Sequence, residues 1–190
     1  MSVALHKPMT LEAFLEWESR QPVRYEFDGF GPIATAGGTL EQGLIQANLI
    51  SALHARLRGG PCRVVGSDVK IQVGDDHIRY PEAFVLCTSP VRGTTVVTEP
   101  VVVFEVLSPS TASIDHIVKN GEYRDTPSIR RYVMLEQAQM AATVFSREGD
   151  DWVGRVVAGN AVLAIPEIGV ELPLADLYEG VTFPEPPADT

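Results

Sequence analysis

Long apolar runs are missing from this sequence of 190 residues. No stretch approaches the roughly 20 consecutive apolar residues that cross a bilayer. The first eight residues also lack both the basic start and the apolar core of an export signal. These two absences exclude a helical membrane protein of the ordinary kind, and we expect a cytoplasmic location.

Cysteine is almost absent, and the usual catalytic signatures are missing. Cys62 and Cys87 stand far apart without a Cys-x-x-Cys pair, so a disulfide framework or a zinc site is not expected. Free cysteines are commonly buried, and we predict two buried, reduced thiols. The four histidines lack zinc-site spacing. The phosphate-loop and serine-elbow patterns are absent too, so nucleotide hydrolysis and serine esterase chemistry have no support.

Basic residues are outnumbered by acidic ones, 15 to 25, which gives a net charge of −10. Such a charge argues against a surface that binds duplex DNA through many phosphate contacts. Nine of the acidic residues follow residue 139, where only two arginines accompany them, so the acidity is concentrated in the C-terminal part. Lys119, Arg124, Arg130 and Arg131 leave room for a local basic face.

The composition is that of a folded protein, with 45% hydrophobic and 21% charged residues. A chain of this length supports one domain with a sizeable core. We therefore predict a single domain over residues 1–183 and a disordered tail over residues 184–190.

Two helices have clear start and stop signals. Thr10 can cap a short helix over residues 11–18, where apolar residues recur at helical spacing. A second, long helix is predicted from Thr39 to about Arg58, because its apolar residues trace one stripe and Gly59 and Gly60 can end it.

The remaining pattern predicts strands, with one further helix among them. Residues 101–107 are almost continuously apolar, which is typical of a central strand covered on both faces. A helix over residues 113–124, with Ile114, Ile117 and Val118 turned inward, is expected to cover this strand. The other predicted strands are 24–27, 63–65, 69–73, 82–87, 131–135, 141–147, 152–157 and 161–165.

Strand parity singles out two acidic residues. Glu105 shares a face with Val103 and Leu107, and Glu82 shares a face with Phe84 and Leu86. A buried carboxylate without a partner costs several kcal/mol, so each glutamate needs an ion pair, a proton or a cation.

Two explanations stay open at this point. In the first, Glu82 pairs with Arg79 or Lys70, and Glu105 pairs with Arg131. In the second, both carboxylates hold Mg²⁺, which prefers oxygen ligands, and Lys119 orients or deprotonates an attacking water.

A set of short motifs gives the sequence a family resemblance over about residues 8–180. The motifs are Tyr25-Glu26-Phe27-Asp28-Gly29, Ser67-Asp68-Val69, Arg79-Tyr80-Pro81-Glu82, Glu105-Val106-Leu107-Ser108-Pro109-Ser110-Thr111, Lys119 with Tyr123-Arg124, and Pro173-Leu174 with Leu177-Tyr178. In this order they resemble the Uma-two family of restriction-endonuclease-like proteins. The run from Glu105 to Thr111 is the most specific of them.

The resemblance implies a fold and a set of site residues. The fold is α/β (α+β) and restriction-endonuclease-like, a mixed central sheet flanked by helices with extra C-terminal strands. The activity is that of a PD-(D/E)XK endonuclease dependent on Mg²⁺ or Mn²⁺, acting on nucleic acid, with DNA favoured. Glu82, Glu105 and the carbonyl of Val106 would bind the metal, Lys119 would be the migrated catalytic lysine, and Glu26 would match the family's N-terminal acid. A homodimer is also implied.

Three positions depart from the family pattern. Glu82 replaces an aspartate, Phe30 replaces a glutamate, and Gln42 stands where a histidine is usual. Glu82 carries its carboxylate one methylene further from the strand. These departures leave a second hypothesis open, a catalytically inactive nuclease-like domain that acts as an oligomeric binding or regulatory module.

Overall fold

The computed structural model describes residues 8–35, 37–107 and 115–184. Most of the expected C-terminal tail, residues 185–190, lies outside these ranges, as does the start of the helix expected over residues 113–124. No helix in the described ranges is long and apolar enough to span a membrane.

Both capped helices are confirmed. Helix α1 covers Leu11–Glu18, and the Thr10 side chain accepts a hydrogen bond from the Ala13 amide at 3.2 Å. Helix α2 covers Leu40–Leu57, and Thr39 caps it in the same way. Two short helices follow, α3 (Asn120–Asp125) and α4 (Leu174–Leu177), together with a π-helix (Asp115–Lys119) and a 3₁₀ turn (Pro166–Ile168).

Thirteen strands are found in the described residues, and they form two larger sheets and one two-stranded ribbon. The strands are β1 Tyr25–Asp28, β2 Pro32–Ala34, β3 Arg63–Gly66, β4 Lys70–Val73, β5 His77–Arg79, β6 Ala83–Leu86, β7 Val96–Val97, β8 Val102–Leu107, β9 Arg131–Glu136, β10 Ala141–Glu148, β11 Asp151–Ala158, β12 Val162–Ile165 and β13 Val170–Pro173.

The larger sheet is mixed and has six strands in the order β11-β10-β9-β8-β6-β3. Strand β8 runs parallel to β9 and antiparallel to β6, so it occupies an interior position. The second sheet has the order β2-β1-β5-β4-β7, and β12 pairs with β13. The expected α/β class with a mixed sheet, flanking helices and additional C-terminal strands is confirmed.

The core lies on both faces of β8, as its apolar sequence predicts. Every residue of this strand is buried. Val102, Phe104 and Val106 pack in the same cluster as the buried stripe of α2, whereas Val103 and Leu107 face the opposite cluster. The second face is the one that carries Glu105.

The prediction for the helix after β8 is wrong in its orientation. Ile117 and Val118, expected to point inward, are 75% and 48% exposed, whereas Tyr123 is fully buried. The segment begins as a π-helix, and its wider turn changes which of the following residues point toward the core. Lys119 and Tyr123, four residues apart, therefore share the inward side. Ile114 lies outside the described residues.

The expectation of reduced thiols is also wrong, because Cys62 and Cys87 form a disulfide. Strand pairing explains their meeting. Arg63 lies opposite Leu86 in the antiparallel β3–β6 ladder, so the cysteines occupy the next cross-strand position. Spacing in sequence cannot reveal this pairing, because it depends on the register of two strands.

Reducing this bond is expected to lower the free energy of unfolding by about 2 to 4 kcal/mol, because the bond restricts the unfolded chain over a separation of 25 residues. Urea unfolding with and without dithiothreitol measures the difference. A Cys62→Ser/Cys87→Ser variant is the control, and its stability should not respond to the reductant. Two reactive thiols in the denatured, unreduced protein would contradict the prediction.

Candidate active site

Strand β8 carries Glu105, and Glu82 directly precedes β6, the strand beside it. Glu105 is 5% exposed and lies between Val103 and Leu107 on its strand. Ala83 is the first residue of β6 and pairs with Phe104, so Glu82 lies just beyond the end of this ladder. A carboxylate as buried as that of Glu105 calls for positive charge nearby.

Two side chains from the segment after β8 donate hydrogen bonds to the Glu105 carboxylate. Lys119 Nζ lies 3.0 Å from Oε1, and the Tyr123 hydroxyl donates to the same oxygen at 2.9 Å. Both side chains are largely buried. Burial and then the charge of Glu105 raise the pKa of Tyr123 well above its ordinary value. Tyr123 is therefore a hydrogen-bond donor to Glu105 across the physiological pH range.

Glu26 joins this group from strand β1. Its Oε1 lies 3.5 Å from Lys119 Nζ and accepts a hydrogen bond from the Tyr80 amide at 3.1 Å. The fold thus brings Glu26, Glu105 and Lys119 together, as the sequence predicts.

Glu82 contacts helix α2. Gln42 donates its side-chain amide to the Glu82 carboxylate, and Gln46 Nε2 donates to the Glu82 main-chain oxygen at 2.9 Å. The Val106 side chain is buried in the core against α2. Only its main-chain carbonyl is therefore a candidate metal ligand.

Sequence reasoning missed a second ion-pair layer behind Glu26. Arg79 is 3% exposed and binds Glu122 through two nitrogens, at 2.7 and 2.5 Å. Its Nη1 also lies 3.5 Å from Glu26 Oε2. Burial opposes the charge of Arg79, but Glu122 and Glu26 outweigh that cost and raise its pKa. The signal in the sequence was Glu122, which follows Lys119 by three residues in the same segment.

Lys70 and Arg131, the alternative ion-pair partners of Glu82 and Glu105, are instead paired with other carboxylates. Lys70 Nζ lies 2.7 Å from Glu18 Oε2, and Arg131 binds Glu167 through two nitrogens at 2.9 Å. Burial alone would raise the pKa of Glu18, but hydrogen bonds from Lys70 and Tyr80 lower it below its ordinary value.

The site as a whole carries excess negative charge. Among the described residues, it contains four carboxylates (Glu26, Glu82, Glu105 and Glu122) and two cations (Arg79 and Lys119), a net charge of −2 when all are ionised. No group of three or more His, Cys, Asp or Glu side chains in the described ranges is arranged to hold a metal ion. A divalent cation held by two carboxylates and a carbonyl remains compatible with this charge, because Mg²⁺ usually takes only one or two protein carboxylates.

Comparison with known proteins agrees with the motifs. A family model named Uma2, described as "Putative restriction endonuclease", matches residues 11–175. An uncharacterized protein of Synechocystis sp. is 29% identical over 175 residues, which is 90% of this chain and 92% of that protein. A second one is 26% identical over 154 residues, 79% of this chain and 87% of that protein.

A solved structure has a similar fold. A crystal structure described as "a putative nuclease belonging to DUF820 from Anabaena variabilis" matches with a TM-score of 0.74. The match covers 92% of this chain and all of the other, at 17% identity.

Arg79→Ala is expected to lower the free energy of unfolding by about 3 to 5 kcal/mol, because it removes the arginine that binds the mostly buried Glu122 and one of the two cations beside Glu26. Chemical denaturation measures the loss. Arg20→Ala removes an exposed pair with Glu16 and should change stability by less than about 0.5 kcal/mol. Equal effects of the two substitutions would show that the buried network contributes nothing.

Proposed function

This chain belongs to the Uma2 family, and from that premise we propose that it is a metal-dependent endonuclease that hydrolyses phosphodiester bonds in nucleic acid. The observation that supports the proposal most directly is the contact of Lys119 with both Glu105 and Glu26. Glu82 directly precedes β6, the strand next to the one that carries Glu105. Acidic residues on adjacent strands with a lysine at their side are suited to phosphodiester hydrolysis with a divalent ion.

We assign the metal to Glu82, Glu105 and the carbonyl of Val106, with Mg²⁺ or Mn²⁺ as the ion. The donor set fits, because all ligands are oxygens and two carboxylates are enough for Mg²⁺. The charge fits as well, since one divalent ion would balance the net −2 of the network. When bound, such an ion supplies Lewis-acid stabilisation of charge on the phosphate oxygens.

The protein's own groups have separable tasks in this proposal. Lys119 donates hydrogen bonds, so we assign it the orientation of the attacking water and the offsetting of negative charge on the phosphate. Tyr123 holds Oε1 of Glu105 and thereby fixes the rotation of that carboxylate. Glu26, itself held by Arg79 and the Tyr80 amide, positions the ammonium group of Lys119.

Two of the three departures from the family pattern touch each other. Glu82 replaces an aspartate and Gln42 replaces a histidine, and Gln42 donates directly to the Glu82 carboxylate. Glutamate is one methylene longer than aspartate, so the carboxylate of Glu82 is more mobile than that of the usual aspartate. The Gln42 amide orients this carboxylate, and the two replacements therefore compensate for each other. This contact favours an active site of altered geometry over two unrelated losses.

The same contact also supports the second candidate, an inactive nuclease-like module with a binding or regulatory role. Gln42 and Lys119 each donate to one of the two acids assigned to the metal. If those hydrogen bonds are stronger than metal coordination, Glu82 and Glu105 keep their present partners and do not bind an ion. The homodimer and the cytoplasmic location stay predictions under either candidate. DNA as the preferred substrate stays a prediction under the first.

Metal binding separates these candidates first. Isothermal titration with Mn²⁺ is expected to show one site in the wild type and an affinity at least about tenfold lower in Glu105→Gln. The isosteric amide keeps an oxygen for Tyr123 and removes only the charge. Glu16→Gln makes the same charge change at an exposed position and should leave the affinity unchanged. Equal affinity in all three proteins would remove the metal assignment.

Cleavage tests the activity itself. With Mn²⁺, the wild type is expected to nick supercoiled DNA or to cut single strands. Lys119→Met should reduce the rate by about 100-fold or more, because the change removes a positioned catalytic group. Arg155→Met, at an exposed surface pair, is the control for loss of a cation and should keep the wild-type rate. Absence of cleavage by the wild type over a wide concentration range would favour the inactive module.

A further inference from the structure

A continuous groove leads away from Glu82 along the surface. Its first part is a cleft of about 340 Å³ that Glu82, Gln42 and Tyr80 line. The second part is a cleft of about 520 Å³ that reaches Gln21, Pro22 and Val23. Arg24, Thr35 and Gly37 line both parts, so the two clefts meet at these three residues.

We propose that this groove binds a single nucleic-acid strand next to the metal site, with Arg24 holding a phosphate where the two clefts meet. This inference rests on the proposed nuclease function and specifies its substrate as unpaired rather than duplex nucleic acid.

Arg24 has donors available for a phosphate. Its hydrogen bonds to described residues, the Ser67 carbonyl at 2.5 Å and Asp68 at 3.0 Å, both use Nη1. Nε and Nη2 make no hydrogen bond within the described part of the chain. The side chain is 46% exposed, and its Asp68 partner is 97% exposed, so this pair is a weak surface contact. A guanidinium with two adjacent donors matches a phosphate in a bidentate arrangement.

The size and lining of the clefts favour nucleotide units. Each volume lies within the range of roughly 300 to 1,000 Å³ that holds small-molecule groups, a class to which a nucleotide belongs. The first cleft is lined by the amide and hydroxyl side chains of Gln42, Gln46, Ser67 and Thr39. These groups hydrogen-bond to neighbouring residues and would exchange part of those bonds for base edges and sugar. The second offers exposed apolar surface at Val23.

Charge argues against a duplex in the same place. Arg24 is the single cation among the described residues that line the two clefts. The whole chain carries −10. Duplex binding depends on many phosphate contacts. Single strands, in contrast, gain affinity from stacking of their bases on aromatic side chains, and Tyr80 lines the first cleft beside Arg24.

The test measures binding in EDTA, so that neither metal nor cleavage enters. Fluorescence anisotropy follows a short fluorescein-labelled oligothymidylate with wild-type protein, and a duplex of the same length is the competitor. The wild type should bind the single strand more tightly than the duplex. Arg24→Gln should weaken binding by roughly tenfold and reduce the slope of log affinity against log salt by about 0.7, the value for one lost phosphate contact on a single strand.

Two further variants test the route of the strand. Gly37 has open space at its Cβ position and no left-handed φ, so a side chain can be introduced there, and Gly37→Trp should weaken binding by filling the groove. Arg155→Gln, which removes an exposed cation on β11, should bind like the wild type. Asp68→Asn removes the carboxylate that competes for Arg24 and should strengthen binding.

Three results would overturn the groove: no binding of the single strand, tighter binding of the duplex, or wild-type binding by both Arg24→Gln and Gly37→Trp. The nuclease proposal can fail independently. If Mn²⁺ binding and cleavage are absent while the oligothymidylate binds through Arg24 and Gly37, the groove stands and the catalytic assignment falls. Circular dichroism of each variant excludes loss of folding as the cause.

Discussion

The carboxylate of Glu105, placed in the middle of the most buried strand, constrains much of the surrounding structure. An unpaired charge there would cost several kcal/mol, and Lys119 and Tyr123 offset that cost. Lys119 in turn needs Glu26, Glu26 is held by Arg79, and Arg79 is held by Glu122. Because Lys119 and Glu122 belong to one continuous helical segment, the chain of ion pairs closes on itself. It also ties the smaller sheet, through β1 and β5, to the central strand of the larger one.

The part of this site that follows local rules could be predicted from the sequence. Side chains alternate along a strand, so parity alone set Glu105 on the face of Val103 and Leu107. The motif around Glu105 then pointed to Lys119. The orientation of that helical segment could not be predicted, because a π-helix changes which residues face inward and its sequence has no distinct signature. The Cys62–Cys87 pairing depends on the register of two strands, and the Arg79–Glu122 pairing depends on how a helix docks on a strand 43 residues away, so neither could be predicted.

The shortest strands show the same limit. β2, β5 and β7 contain two or three residues each, too few for an alternating pattern to stand out. Yet β5 carries Arg79, and Tyr80, the next residue, donates its amide to Glu26. Elements that sequence periodicity cannot detect therefore supply the second layer of contacts behind Glu26 and Lys119. This also explains how a fold can match at a TM-score of 0.74 with only 17% identity, because main-chain contacts impose few demands on side-chain identity.

An acidic protein that acts on nucleic acid must obtain its affinity for phosphate locally. A basic stripe is not needed if a metal ion neutralises the phosphate that reacts and a single guanidinium binds the phosphate that follows. Under that arrangement the remaining surface can stay negative, which repels duplex DNA more strongly than a single strand, because the duplex carries about twice the charge per unit length. The long-range field then discriminates against duplexes, whereas Arg24 and the metal site provide short-range attraction that screening by salt weakens only modestly.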